Sequence, residues 1–345
     1  MQRTSVVVAA CVWAAWPLTG CGMFRDAPRE DAQDEAVLTE IEEPDPAEPA
    51  QSFQQRLLAD ADAAKDAGEY KAALALFIEI LADNPTLATA YLGIGDIYLL
   101  QKNYAGAEPA YARAARLGPR NFDAQYGHAL ALQMLNRFVE AVNAYRRALT
   151  IRPESIRANL NLATTYLQMG EPRPALIFAE KVVELDPANG PARANLGAVY
   201  EQIERYGDAV MQYESAVELM EPTPPLLMNL INVLAKENLY VEAKNTAEFL
   251  VKLQPSANAL ERLGWSYFRL GQYDKSINAY RTAVQLEPDH WPSLNGVGVN
   301  ALNAWLLSNK RDVKAAREAK RTFQRSLRAN AEQPKIIRLL SQYQL

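Results

Sequence analysis

From about residue 54 to residue 331 the small and apolar positions of the chain return on a fixed stride. Ala73, Ala107, Ala141, Ala175, Ala209 and Ala243 stand 34 residues apart. Prolines recur at Pro85, Pro119, Pro153, Pro187, Pro222, Pro255 and Pro288, at intervals of 33 to 35 residues. An aromatic sits eight residues before several of them, as Phe77, Tyr111, Tyr145 and Tyr280 do, and Tyr213 sits nine before Pro222. The pairs Ile94-Gly95, Leu196-Gly197 and Leu263-Gly264 fall in the first half of their units, and Ala129 and Ala163 hold the glycine's place elsewhere. Tyr98, Tyr166, Tyr200 and Tyr267 follow that small residue by three. A period of this length marks a stacked array whose units cannot bury their apolar faces alone.

These positions resemble the tetratricopeptide repeat, a helix–turn–helix unit of 34 residues carrying Leu-Gly-x-x-Tyr, Ala, an aromatic and Pro at fixed offsets. The segment NALERLGWSYFRLGQYDKSINAYRTAVQLEP is a near-complete match. The resemblance implies an all-α solenoid of about eight hairpins, beginning near Gln54, Ala88, Phe122, Ile156, Gly190, Pro224, Ala257 and Trp291. It also implies first helices along a concave groove and second helices outside. The small residues let paired helices approach, the aromatic fills the gap to the next unit, and the proline ends the second helix.

Four departures carry expectations. Asp60-Ala61 replaces Leu-Gly in the first unit, which suggests a polar end surface. Pro109 falls inside a second helix and should bend it. Ala179 stands where an aromatic is usual, and the last unit is nine residues too long between Gly298 and Phe323. Residues 332–345 read as a helix covering the end of the 54–331 array, a usual need in solenoids.

Before the array the pattern changes twice. Arg3 is followed by an apolar run, Ser5–Trp16, too short to span a bilayer comfortably, which reads as a signal peptide over residues 1–20. Leu18-Thr19-Gly20-Cys21 resembles the lipobox of bacterial lipoproteins. That resemblance implies lipidation of Cys21 and cleavage before it; an uncleaved anchor is the alternative. Gly22 after the cysteine, where Asp would favour the inner membrane, points to the periplasmic face of the outer membrane. Residues 21–53 read as an acidic tether: between 24 and 52 ten acids face only Arg25 and Arg29, a net of −8. Such a stretch buries too little to fold alone. Its alternative reading is an acidic peptide that docks on a basic surface.

The 345 residues carry a net charge of −5, which does not suggest a nucleic-acid binder. Two histidines, His128 and His290, are too few for a His-built metal site, and Cys11 lies in the removed segment. We find no catalytic constellation, cofactor motif or small-molecule site. His128 takes a Leu position and reads as a packed helix residue, while His290 beside Asp289 is a weak base signal.

Binding has more support. Asn161, Asn195 and Asn229 occupy the sixth position of three consecutive first helices. This ladder resembles the peptide-gripping asparagines in the repeat region of the O-linked N-acetylglucosamine transferase, and asparagine is also common there in the repeat consensus. Leu160, Leu167, Met228, Trp265 and Phe268 occupy groove positions beside it, and either meet a partner segment or pack between first helices. Eight basic residues lie between Lys310 and Arg328, against Asp312 and Glu318. The spacing predicts that Lys310, Lys314, Arg317, Arg321, Arg325 and Arg328 share one helix face. That face is either simply solvated or meets anionic lipid, an acidic partner or the acidic tether. The expected function is a membrane-anchored lipoprotein scaffold binding proteins or peptides, an adaptor of an envelope complex such as the type IV pilotins. The alternative is the substrate-recruiting part of a glycosyltransferase system.

Overall fold

The computed structural model describes residues 50–345; residues 1–20, read as a signal peptide, Cys21 and the acidic stretch lie outside the described residues. The chain falls into two compact units, split between residues 135 and 136. The first holds α1 (Ala50–Asp66), α2 (Tyr70–Asp83), α3 (Ala88–Leu100), α4 (Tyr104–Leu117) and α5 (Phe122–Met134). The second holds α6 (Phe138–Ile151), α7 (Ile156–Gln168), α8 (Pro172–Leu185), α9 (Gly190–Gln202), α10 (Tyr206–Leu219) and α11 (Pro224–Lys236). It continues with α12 (Tyr240–Leu253), α13 (Ala257–Arg269), α14 (Tyr273–Leu286), α15 (Trp291–Leu307), α16 (Val313–Ala329) and α17 (Pro334–Gln342). No strand occurs among the described residues. First helices start where the sequence units start, except that α1 begins at Ala50, four residues before Gln54.

The local causes repeat with the sequence. Each regular second helix ends just before its proline; the capping residue between them leaves the helical region, which the following proline disfavours, in α2, α4, α6, α8, α12 and α14. A polar side chain then opens the next first helix. Asn121, Ser155, Asn189, Thr223 and Ser256 each accept a hydrogen bond from the backbone N–H three residues on. Inside each hairpin, one residue in left-handed conformation makes the turn: Gly68, Lys102, Asn136, Gly170, Glu204, Asn238 or Gly271. The following N–H reaches back to the helix just ended, as from Asn103 to the Tyr98 carbonyl at 2.8 Å. α4 runs on through Pro109, which lies on its exposed side.

Packing follows the predicted logic. The six mid-unit alanines are fully buried. Tyr111 is wedged between two glycines: a Cβ on Gly95 would stand 2.8 Å from its ring, and one on Gly127, in the next first helix, 2.4 Å. Tyr280 sits in the same way between Gly264 and Gly296. The aromatic therefore couples its own hairpin to the following one, and the glycines set how near the helices come. Ala179, in the usual aromatic place, is buried among Leu196, Val199 and Tyr213. Ala61 is buried and Asp60 exposed in the first unit.

The nine extra residues of the last hairpin are shared out. α15 is four residues longer than α13, α16 three longer than α14, and the turn between them two longer. α17 packs Ile336, Leu339, Leu340 and Tyr343 onto the cluster of Ala301, Leu302, Ala319 and Phe323. Gln333 ties it down through Ser326 and Asn295.

Candidate functional site

In the second unit, first helices touch one another in the order α7, α9, α11, α13, α15, forming one layer. The candidate binding residues lie on this layer, and the structure treats them differently. Leu160, Met228, Trp265 and Phe268 are half-buried and keep surface to offer. Leu167 does not. It is 4% exposed within the cluster of Leu196, Val199 and Leu230, because neighbouring first helices lie close enough for a long side chain to cross between them.

One member of the asparagine ladder is also committed within the fold. Asn195 donates to Thr164 Oγ1 at 2.7 Å, binding α9 to α7, and its Oδ1 is buried without a partner among the described residues. Asn229 is half-buried on α11, and the hydroxyl of Tyr213 donates to Glu201 Oε2 at 2.9 Å. Asn161 is half-buried at the start of the series. One of the three side chains, Asn195, thus joins two first helices, while Asn161 and Asn229 stay half-buried on the layer. Burial raises the Glu201 carboxyl above its ordinary range, against the lowering effects of the Tyr213 hydrogen bond and the Lys236 charge. The first unit repeats the device: Tyr111 donates to Asp96 at 2.6 Å, and burial raises that carboxyl too.

Trp265 has the most developed surroundings. Tyr240 meets it edge-on at 5.7 Å, and the Arg269 guanidinium lies 4.4 Å from the Tyr240 ring centre and 5.7 Å from that of Trp265. Arg269 also donates to the Tyr240 hydroxyl, which donates to Asn238. One turn along, Phe268 meets Tyr273 edge-on at 5.4 Å. Glu261, one turn before Trp265, is raised above its ordinary carboxyl range by burial, with Arg262 beside it at 3.4 Å. The result is an aromatic and cationic ledge with a poorly solvated carboxylate at its edge. Sequence reasoning missed Tyr240 and Arg269, which lie 29 residues apart. It also missed the tyrosine–carboxylate pairs Glu180–Tyr200 and Glu248–Tyr267. Their signal was present: an acid 19 or 20 residues before the repeat tyrosine.

The histidines serve the fold. His128 Nε2 lies 3.3 Å from Glu108 Oε1. His290 stands just before α15, with Nε2 at 2.9 Å from Asn258 Oδ1 and Nδ1 at 2.8 Å from the Ser293 hydroxyl; burial lowers its pKa. Among the described residues no group of His, Cys, Asp and Glu could hold a metal ion. No described helix is long and apolar enough to cross a membrane.

On the basic segment the structure corrects one placement. Lys310 is not on the helix face. It lies in the turn before α16 in left-handed conformation, its ammonium 5.5 Å from the Trp305 ring centre. Arg325 donates to the Pro288 carbonyl, which leaves Lys314, Arg317, Arg321 and Arg328 as the exposed basic row.

Hairpins that stack through shared aromatics, with a half-open layer of first helices, define a helical repeat protein of the protein-interaction type. Models of the tetratricopeptide repeat match residues 58–121, 101–156, 132–198 and 257–290, together about half the chain. The chain belongs to the tetratricopeptide repeat proteins, whose fold is ordinarily a non-catalytic interaction scaffold.

Solved structures with the same fold include the C-terminal part of a TPR repeat-containing protein from Cytophaga hutchinsonii. It is 15% identical, with a TM-score of 0.58, over 70% of this chain and 99% of that one. A tetratricopeptide repeat protein from Parabacteroides merdae is 15% identical, with a TM-score of 0.51, over 72% and 99%. PilF of Pseudomonas aeruginosa is 19% identical, with a TM-score of 0.51, over 59% and 93%. Among curated proteins no sequence matches the chain.

Proposed function

We propose that the protein is a lipid-anchored scaffold of the bacterial envelope that holds one extended or helical segment of a partner protein against its first helices between α7 and α13. The observation that carries this reading is the ledge around Trp265. Trp265, Phe268, Met228 and Leu160 leave apolar surface on one layer of helices, and large aromatics beside a guanidinium are the residue types that anchor interfaces. Glu261 would gain from a basic group on the partner, since burial disfavours its charge. Asn195 is assigned to the scaffold's own packing, and Asn161 and Asn229 stay half-buried beside the ledge's layer.

Trp265→Ala is expected to weaken capture of the partner by about 2 kcal/mol or more, the usual cost of truncating an aromatic anchor. A photo-reactive residue at position 268 identifies the partner in intact envelopes, and titration of that partner measures the loss. Ile177→Ala, on an exposed second-helix position, should leave binding unchanged. Equal affinity for Trp265→Ala and the parent would move the site elsewhere.

Anchoring rests on Leu18-Thr19-Gly20-Cys21, with the periplasmic face of the outer membrane as the location. Cys21→Ser should abolish incorporation of a fatty-acid analogue and leave the precursor uncleaved, because the thiol is the acyl acceptor. Unchanged labelling of that variant would remove the anchor from the proposal.

A further inference from the structure

The last hairpin of the second unit, α15 and α16, ends in a tip unlike the earlier turns. Leu307 and Val313 stand on either side of it with exposed side chains, Leu307 at 67%. Between them Asn309 and Lys310 are both in left-handed conformation. Hydrogen bonds hold the tip in shape. The Trp305 indole donates to the Lys310 carbonyl at 3.0 Å, and Ser308 Oγ accepts from the N–H groups of Arg311 and Asp312 at 3.1 and 2.9 Å. Two exposed aliphatic side chains, a half-buried indole and the cations Lys310, Arg311 and Lys314 thus share one end of the hairpin.

α16 continues that end as a cationic face. It carries six basic residues and one acid, a net of +5, where no other described helix exceeds +2. Glu318 is taken by Arg281 at 2.7 Å, and Asp312 accepts the Ala315 N–H at 3.0 Å to cap the helix. Arg325 has Asp289 at 4.0 Å. Lys314, Arg317, Lys320, Arg321 and Arg328 are exposed and form no ion pair among the described residues. At 100° per residue the six cations and Val313 span an arc of about 140°, centred opposite the buried Ala315, Ala319, Phe323 and Ser326. The row from Lys314 to Arg328 is about 21 Å long at 1.5 Å per residue. Unpaired cations occur on other helices too, as Lys71 does on α2; α16 differs in how many share one face.

We propose that this face of α16 rests on an anionic phospholipid surface, with its cations among the headgroups and Leu307 and Val313 dipping below them. An arc of lysines and arginines without an acid in it suits a field of anionic headgroups, each cation adding about fivefold to the affinity. Charge alone would also suit an acidic polypeptide. The exposed aliphatic pair at the same end favours lipid, because those side chains leave water on entering the headgroup layer, the depth that suits an indole as well. The contact lies wholly within the second unit and is separate from the ledge on α13. It rests on the envelope reading above in supposing a membrane within reach, and a lipid chain joined to a basic patch gives the second signal that stable anchoring needs.

The full chain, purified in detergent, is reconstituted with vesicles of phosphatidylcholine, alone or with one quarter phosphatidylglycerol. Brief treatment with acetic anhydride and mass spectrometry then read each lysine. Flotation with the neutral vesicles reports the anchor and is indifferent to α16. On the anionic vesicles, acetylation of Lys310, Lys314 and Lys320 is expected to slow at least about fivefold relative to the neutral ones, while the exposed Lys71 and Lys252 stay unchanged. Changing the exposed Arg317, Arg321 and Arg328 to Gln should return the three lysines to the neutral-vesicle rate with an unchanged circular dichroism spectrum. Leu307→Ser should weaken the protection of Lys310. Equal acetylation on both kinds of vesicle, slowing spread over all lysines, or protection that survives the triple variant overturns the proposal whether or not the chain floats. So does protection by soluble polyglutamate with none by phosphatidylglycerol, which assigns the face to an acidic polypeptide. A chain that floats only with the anionic vesicles, its three lysines protected, upholds this proposal and removes the anchor.

Discussion

Gly197→Leu is expected to destabilise the second unit by about 1–3 kcal/mol, the usual cost of overpacking a closed core. A Cβ at position 197 would stand 2.8 Å from two ring carbons of Tyr213, nearer than real Cβ contacts come. The ring cannot give way. It is fully buried among Ala179, Leu196, Val199 and Ala216, and its hydroxyl is held by Glu201. The helix must shift, and with it the Asn195 bond to Thr164. Gly207→Ala is the companion variant, since a Cβ there meets nothing within 4 Å. It should raise stability by roughly 0.5–1 kcal/mol, by lowering the chain entropy lost on forming α10. Urea denaturation of both, followed by circular dichroism, gives opposite shifts of the midpoint. A midpoint for Gly197→Leu equal to that of the parent would show that the aromatic wedge is loose.

Phe323→Ala has the larger expected cost, about 3–5 kcal/mol. The side chain is completely buried, lies against Gly298, and joins α15, α16 and α17 through Leu302, Ala319 and Ile336. Truncation leaves a cavity that the surrounding helices close only in part. Hydrogen exchange should therefore quicken first in α17, a helix of nine residues that packs on this cluster. Val313→Ala, on a side chain 54% exposed, should change stability by no more than about 0.5 kcal/mol. If α17 keeps its protection in Phe323→Ala, it is held by the Gln333 hydrogen bonds and not by the apolar contact.

The fold was legible in the sequence because each of its causes is local or repeats. Pro119 and Asn121, or Pro153 and Ser155, end one helix and cap the next within three residues. Gly95 and Tyr111 recur as a pair at a distance the eye can follow. The binding surface was only partly legible. Position alone put Leu167 and Trp265 on the same footing, yet one is closed over by the next first helix and the other is propped open by Tyr240 and Arg269. Asn195 and Asn229 matched a gripping ladder by residue type. What Asn195 grips was set by Thr164, whose nearness depends on how closely the first helices stack. The displacement of Lys310 came from the longer last turn, which a regular period cannot announce.

A stack of like hairpins has ends that fit one another, so an uncovered final repeat invites the first repeat of a second molecule and then growth into a filament. α17, nine residues long, stands where a ninth first helix would begin, directly after α16. Ile336, Leu339 and Leu340 already occupy the apolar surface on which another copy would build. Trimming the chain after Ala331 would thus do more than expose a core: it would turn a terminator into a template, and head-to-tail polymers rather than unfolded monomers are the form in which the loss would show.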